Sequence, residues 1–392
     1  MINTLNESLK IISPYLNQNL VSSESLSCIT EIASLLPGFP TVSDAGFECP
    51  LGDNVAKADF LVCLTTLNRG REIMANYNCT EGLQKINFTN PVWNRIHNFC
   101  LNWADQASPL YENVDNIWLE FDVDNLSPQV PVPSFFFGPK SRKASKSNTA
   151  MKKVDFYKNC WVTEAALKPL FSFPLSSQTK INMKACFDLL PSDAEIFQIG
   201  VMLPRTSESH VVRVCVKNIF PEHILPYLIS IGYKGSFSDI KNLVDKLSKF
   251  VDYICLNFAV GDTILPKIGF ECYLRHQPMN EPKWKVFFDY LVSNLNCTSN
   301  KTNALLNWSG YSDEKVNKEL WPSNIATISN FIYPRGVSVF IRALHHIKIV
   351  YQPDNNLQAK GYLWYGHRWL NPHIFKELQQ DKQEIKIIYD FN

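Results

Sequence analysis

The chain has 392 residues, of which 45% are hydrophobic and 19% are charged, so it can build a large core and is not a disordered protein. Its formal net charge of +1 excludes a general attraction to nucleic acid or to acidic membranes, and any anion site must therefore be local. The N-terminus lacks a secretion signal, and no stretch approaches the roughly 18 apolar residues of a membrane span. We expect a cytoplasmic protein, with its scattered cysteines present as buried thiols.

The first ninety residues predict helices interrupted by turns. Apolar residues recur at helical spacing over residues 1–37, and again over Phe60–Ala75. The segment between them, residues 37–55, is rich in glycine and proline and predicts turns. We therefore interpret residues 1–90 as a helical and irregular cap, and residues 91–392 as a barrel-like domain.

Alternating apolar and polar residues predict paired strands in the second part of the chain. The clearest unit is a helix over residues 238–250, strands Tyr253–Val260 and Lys267–Arg275 joined at a Gly-Asp turn, and a second helical run marked by Trp284, Phe287, Phe288, Leu291 and Val292. Weaker versions of this helix–strand–strand–helix unit recur along the chain. The other predicted strands are Ile117–Asp124, Val132–Pro139, Glu195–Arg205, His210–Lys217, Ile347–Tyr351 and Ala359–Trp369.

The predicted strands have one apolar face and one face rich in charged and aromatic residues, which is typical of an antiparallel sheet covered by helices on one side. Such a sheet either stays open, with its polar face in water, or closes into a barrel with a polar lumen. About eight strands make a long open sheet, and Trp and Tyr among the charges suit a lined cavity, so we favour closure. The fold class is α+β: repeated αββα units form an antiparallel barrel or strongly curved sheet with helices outside, plus an N-terminal helical segment. The polar face carries Trp118, Glu120, Asp122, Gln198, Arg213, Lys217, Asn257, Lys267, Glu271, Tyr273, Lys348, Lys360, Tyr362 and Trp364.

A repeating αββα unit that closes around a polar lumen resembles the ABBA class of aromatic prenyltransferases, over about residues 90–375. Lys360-Gly-Tyr362 is similar to that family's basic-x-Tyr strand pattern, and Arg213-Val-Cys-Val-Lys217 is a looser match. The tighter Arg-x-Lys-x-Tyr strand of many members is missing. The resemblance implies that Glu120 lies near an aromatic acceptor, and that basic side chains hold a prenyl diphosphate without an Asp-rich metal motif.

These side chains suit that chemistry, because fixed cations stabilise the charge that a leaving diphosphate develops. Glu120 is the candidate catalytic group, able to accept a hydrogen bond or a proton from the nucleophile. Aromatic walls would shield the allylic cation through cation–π contacts. The candidate diphosphate-binding residues are Arg213, Lys217, Lys348, Lys360 and Tyr362, and the candidate cavity-lining residues are Trp118, Asp122, Asn257, Lys267, Glu271, Tyr273 and Trp364.

Two functions follow as alternatives. One is a metal-independent transfer of an allylic prenyl group from its diphosphate to an aromatic or peptide acceptor in specialised metabolism. The other is a non-catalytic protein of a biosynthetic pathway that binds a peptide or small molecule or serves as a scaffold. We expect no cofactor and no metal. His345 and His346 would point to opposite faces of an ideal strand, so they and His367 do not predict a metal site.

Overall fold

The sheet of this protein has eleven strands in the part of the chain that the computed structural model describes. The described residues are 4–52, 55–76, 90–123, 131–140, 161–171, 173–205, 211–275, 281–354 and 356–380. The strands are β1 (Val42–Pro50), β2 (Asp59–Thr65), β3 (Val114–Phe121), β4 (Ser134–Pro139), β5 (Glu195–Val201), β6 (Val212–Lys217), β7 (Tyr253–Val260), β8 (Ile264–Tyr273), β9 (Gly310–Asp313), β10 (Val337–Tyr351) and β11 (Leu357–Leu370).

Ten of these strands close into an antiparallel barrel. Strands β1 to β8 pair in chain order, β8 pairs with β10, and β10 pairs with β11. Strand β11 then pairs with β1, from Ala45 opposite Tyr365 to Pro50 opposite Lys360, so the sheet has no open end. The short β9 pairs with β10 beyond the end of β8. Closure confirms the predicted barrel and rejects the open sheet.

Helices separate five β-hairpins and cover the outside of the barrel. Several helices begin at a side-chain cap that satisfies a free backbone N–H, as where Ser22 accepts from Ser25 and Asn90 accepts from Val92. The helices are α1 (Leu5–Ile12), α2 (Ser23–Ser34), α3 (Gly70–Ala75), α4 (Pro91–Ala104), α5 (Pro109–Asn113), a π-helical turn (Trp161–Leu167) that continues into α6 (Lys168–Leu170), α7 (Ser177–Asp188), α8 (Pro221–Ser230), α9 (Phe237–Leu247), α10 (Pro282–Asn294), α11 (Ser299–Leu306), α12 (Ser323–Ile332) and α13 (Pro372–Gln379), with 3₁₀ turns at Ser13–Tyr15 and Lys318–Leu320.

The main hydrophobic core lies between the outward faces of the strands and the helices. Phe135 and Phe137 of β4, for example, pack against Phe99 of α4 with ring centroids 4.8 and 5.6 Å apart. The Trp103 indole of the same helix donates to the Val114 carbonyl of β3 at 2.9 Å. Burying a side chain of this size contributes about 1.5–3 kcal/mol, so this layer holds the helices on the barrel and leaves the inward faces free for polar groups.

The prediction for residues 37–75 was wrong. Residues 42–50 and 59–65 form barrel strands β1 and β2, where turns and the start of a helix were expected, and only Gly70–Ala75 is helical. The five residues between Asp59 and Thr65 are all apolar, so β2 lacks the alternation that identifies a half-buried strand, and Gly46 and Pro50 made β1 resemble a turn segment. The predicted boundary at residue 90 therefore leaves two barrel strands in the segment that was interpreted as a cap.

The last part of the chain also differs from its prediction. Strand β9, which follows α11, was not among the predicted strands. Strand β10 begins at Val337, ten residues before its predicted start and soon after α12 ends at Ile332. No helix in the described ranges has the length and apolar character to cross a membrane.

Candidate active site

The inward side chains of the barrel surround two adjoining chambers, to which all ten barrel strands contribute. We call one the aromatic chamber, because Trp118, Phe136, Phe197, Tyr273, Tyr362 and Trp364 line it. We call the other the charged chamber, because Arg205, Arg213, Lys267, Lys348 and Lys360 line it together with Glu48, Asp59, Glu120 and Asp122. Both chambers are lined by Leu61, Glu120, Phe136, Asn257, Lys348 and Tyr362.

Ion pairs hold most of the basic side chains of the charged chamber in place. Arg205 Nε and Nη2 donate to the two carboxylate oxygens of Asp122, each at 2.8 Å, in the two-pronged geometry that guanidinium favours. Lys360 pairs with Glu48, which also accepts a hydrogen bond from the Tyr362 hydroxyl. These contacts orient the cations toward the lumen before any ligand arrives, which reduces the reorganisation that anion binding requires.

Burial and mutual repulsion raise the pKa of two carboxyl groups in this chamber. The pKa of Asp59 rises to about 7, through burial first and the Glu48 charge second. The pKa of Glu120 rises to about 8, through burial and then the nearby Glu48 charge, with Lys348 opposing the shift. Near neutral pH Glu120 is therefore mostly protonated and Asp59 partly protonated, and the five basic side chains outnumber the carboxylates that stay ionised.

Lys348 stands where the two chambers meet. Its ammonium lies 3.3 Å from Glu271 Oε1, while Glu271 Oε2 accepts a hydrogen bond from the Tyr273 hydroxyl at 3.1 Å. The Lys348 stem passes close over Gly269, where a Cβ atom would be 2.8 Å from its Cε. Asn257, also common to both chambers, donates to Cys215 Sγ at 2.9 Å. The junction is thus a connected polar network on neighbouring strands.

A β-bulge places two adjacent histidines in the aromatic chamber. The pairing of β10 with β11 shifts register between Leu344 and His346, so His345 and His346 both line the chamber. Their Nδ1 atoms are 2.5 Å apart, and the His346 ring stacks on Tyr362 with centroids 4.0 Å apart. The expectation that the two histidines point to opposite faces was therefore wrong.

The structure brings together most of the residues that the sequence predicted for the site. Lys217 is the exception, because it lines neither chamber and lies 3.2 Å from Glu195. The residues gathered around the two chambers are Trp118, Glu120, Asp122, Arg213, Asn257, Lys267, Glu271, Tyr273, Lys348, Lys360, Tyr362 and Trp364.

Sequence reasoning missed three charged residues of the site. Glu48 and Asp59 lie on β1 and β2, which were not recognised as strands. Arg205 follows the end of β5, and strict alternation would have placed it on the apolar face. A register shift between Ile196 and Gln198 likewise turns Phe197 into the aromatic chamber. Alternation alone gives no signal for such local irregularities.

His367 lies away from the other two histidines, in the layer between barrel and helices. Its Nε2 is 2.8 Å from Ser338 Oγ, and its ring lies edge-on to Phe340 and Trp321. Within the described ranges, no group of three or more His, Cys, Asp or Glu side chains is arranged to hold a metal ion.

A closed antiparallel barrel of αββα units, with helices outside and a polar lumen, is the architecture expected for the ABBA class of prenyltransferases. Solved structures similar to this chain include a prenyltransferase and a dimethylallyl tryptophan synthase. The prenyltransferase PriB in its apo form is 11% identical with a TM-score of 0.46, over 94% of this chain and 96% of that chain. The 5-dimethylallyl tryptophan synthase from Streptomyces coelicolor, in complex with DMASPP and Trp, is 10% identical with a TM-score of 0.47, over 93% and 95%.

AnaPT from Neosartorya fischeri is also similar, at 10% identity and a TM-score of 0.43, over 92% of this chain and 91% of that chain. No protein-family model matches the chain, and no curated protein matches it. At such identities the similarity concerns the fold, so the roles of individual side chains must come from their own contacts.

Proposed function

We propose that this protein transfers an allylic prenyl group from its diphosphate to an aromatic acceptor. The observation that carries the proposal is the meeting of a charged and an aromatic chamber at Glu120 and Lys348 inside one closed barrel. A prenyl diphosphate has the matching polarity, with an anionic head and an apolar tail that becomes cationic at C1 when the C–O bond breaks. Each half of such a substrate finds a suitable environment in one chamber.

The charged chamber suits the diphosphate. Its basic side chains surround the lumen from several strands, and the raised pKa values of Asp59 and Glu120 reduce the negative charge that would repel the anion. Arg213, Lys348 and Lys360, with the Tyr362 hydroxyl, would stabilise the charge that builds on the leaving diphosphate. In this proposal they take the place of a metal ion and no cofactor is needed.

The aromatic chamber suits the acceptor and the allylic cation. Among its aromatic rings, Trp118 is the one proposed to make cation–π contact at C1, since Tyr273 already stacks on Tyr253 at 4.8 Å and Trp364 already has the Arg368 guanidinium 5.3 Å from its centroid. The acceptor ring forms a C–C bond to C1 as the C–O bond breaks, and the ring carbon then loses its proton. Glu120 lies between the chambers and in its ionised form takes that proton, while diphosphate leaves with the electron pair of the broken bond.

The test is a screen of the full chain with dimethylallyl, geranyl and farnesyl diphosphate, each with and without indole, phenol, tryptophan or an aromatic dipeptide. We expect a rise in the melting temperature with at least one diphosphate, because a ligand of the native state stabilises it. We also expect acceptor-dependent release of inorganic diphosphate that persists with excess EDTA. Binding of diphosphates without release under any condition would favour the alternative of a binding or scaffold protein.

A further inference from the structure

The geometry points to His346 as the group that selects the acceptor: we propose that its Nε2 atom accepts a hydrogen bond from the ring N–H or O–H of a neutral aromatic molecule in the aromatic chamber. That this molecule is the prenyl acceptor rests on the proposed function. Its binding, however, can be measured without turnover. The role is separate from that of Glu120, which also lines the charged chamber, where His346 does not.

The His346 ring is held in a built site. It stacks on Tyr362 at 4.0 Å with an interplanar angle of 18°, and Tyr273 lies against it at 4.7 Å. Its Nδ1 atom is engaged with His345 Nδ1 at 2.5 Å, which fixes the rotation of the ring. Only 5% of His346 is exposed to solvent, so its position is set by packing and not by water.

The other ring nitrogen of His346, Nε2, is not satisfied by the part of the chain that the structure describes. Nε2 is fully buried and has no hydrogen-bond partner among the described residues. A buried polar atom without a partner costs about 1–3 kcal/mol, and a ligand that supplies the missing hydrogen bond recovers part of that cost. Because His346 lines the aromatic chamber, a ring bound there can supply the donor once the side chains that cover Nε2 move aside.

The histidine pair stays neutral under ordinary conditions. Burial lowers the pKa of His346 well below its usual range, and the Lys348 charge lowers it further. Burial and the neighbouring His346 lower the pKa of His345 in the same way, against a smaller effect of Glu271. The short contact allows one proton between the two Nδ1 atoms. When His346 donates that proton, its Nε2 carries a lone pair and can accept from a ligand.

The lining of the aromatic chamber also sets the charge of the ligand. Lys348 is the one basic lysine or arginine on its described lining, and it already lies 3.3 Å from Glu271. Glu120 and Glu271 line the chamber as well. A ligand carboxylate would lie near the Glu271 carboxylate, and Lys348 is already paired with that group. The preferred class is therefore an uncharged indole or phenol, not a free amino acid.

The experiment measures binding of matched ligand pairs by titration calorimetry: indole against 1-methylindole, and phenol against anisole. Each pair differs in the donor hydrogen that Nε2 would accept. For the wild-type chain we expect the donor compound to bind about tenfold more tightly, the value of one hydrogen bond. His346→Phe keeps a ring between the two tyrosines and should abolish the preference. His346→Gln keeps an acceptor oxygen and should retain part of it.

His373→Phe is the matched control, because this histidine lies on α13 with 79% of its side chain exposed, and the preference should stay unchanged there. A preference that persists in His346→Phe would show that the added methyl group is rejected by shape, and would overturn the proposal. Failure of both indole and phenol to bind the wild-type chain would overturn it too. If the wild-type chain prefers the donor compounds but no prenyl transfer is detected, the proposed function is rejected and the binding role of His346 is still supported.

Discussion

Burial of Glu120 beside other carboxyl groups raises its pKa to about 8, while the proposed reaction needs its ionised form. We therefore predict that kcat/KM rises about tenfold per pH unit up to about pH 8 and then levels off, as expected for a general base. Glu120→Gln should lose this dependence and lower kcat by about 10²–10⁴-fold, the usual contribution of such a base. Rate profiles between about pH 6 and pH 9 would check both expectations.

The same ionisation should appear in stability, which does not depend on turnover. The folded-state pKa of Glu120 lies above its ordinary value of 4.5, so the protonated form favours the fold and this stabilisation is lost as pH rises through about 8. The melting temperature of Glu120→Gln should therefore fall less than that of the wild type between about pH 5 and pH 8, where the folded and unfolded states differ in the protonation of Glu120. Asp245→Asn is the control, since this exposed carboxylate pairs with Lys241 on α9.

For the rate experiment, superimposable pH–rate profiles of the wild type and Glu120→Gln would contradict the role of Glu120 as the general base.

Helix α13 packs on inward-facing residues of β10 and β11 beside the aromatic chamber. Phe375 and Leu378 form a separate apolar cluster with inward-facing Val339 and Ile341 of β10 and with Trp364 of β11, which also lines the chamber. We predict that Phe375→Ala lowers the free energy of unfolding by about 3 kcal/mol, because the lost ring leaves a cavity. Urea denaturation would measure this loss. Aromatic ligands should also bind more weakly, since Trp364 loses a packing partner.

Ile374 provides the comparison within the same helix. It is 43% exposed, against 9% for Phe375, so Ile374→Ala should change stability by no more than about 0.5 kcal/mol. Equal losses for the two variants would mean that α13 is weakened through its helical propensity and not through its contact with the barrel.

The strands that the sequence predicted best are those in which polar and apolar residues alternate. The predicted bounds of β7 match the observed ones, and its hairpin with β8 was predicted from the Gly261-Asp262 turn. Strand β2 could not be recognised in the same way, because all five residues between Asp59 and Thr65 are apolar. In β1, Gly46 and Pro50 resembled turn residues, although Gly46 is where the backbone of β11 approaches too closely for any side chain.

The bulge on β10 marks a second limit of prediction. Strict alternation requires neighbouring residues to face opposite sides, and an extra residue in one strand breaks that rule without any change in composition. His345 and His346 therefore share a chamber that the sequence did not assign to both. Lys348, two residues further along, kept its predicted inward orientation because the alternation resumes after the bulge.

In the folded molecule, basic residues from distant parts of the sequence gather in one place, which the net charge of the chain does not reveal. The net charge of the chain is +1, yet five basic side chains converge on one chamber of the barrel. The pair between Lys360 and Glu48 joins residues 312 positions apart, and Arg205 and Asp122 are 83 apart. The sequence predicted the inward orientation of Lys360, but its partner depends on the closure of β11 onto β1.

This closure leads to a prediction that separates two roles of Lys360. Its side chain is 27% exposed and that of Glu48 12%, and Glu48 is the main cause of the raised pKa of Lys360. Lys360→Ala leaves the Glu48 carboxylate largely buried without its cation, which should cost about 3 kcal/mol of stability. It also removes a donor to the leaving diphosphate, so we expect kcat to fall about 10²–10³-fold.

The double variant Lys360→Ala with Glu48→Gln removes the uncompensated charge but does not replace the cation. We expect it to recover most of the lost melting temperature, while the rate of diphosphate release stays low, because a neutral amide cannot stabilise the departing anion. Thermal melts and initial rates on the same samples would measure both effects. If the double variant regained its rate together with its stability, Lys360 would serve only to neutralise Glu48, and the diphosphate would have to be held by Arg213, Lys348 and Lys267 instead.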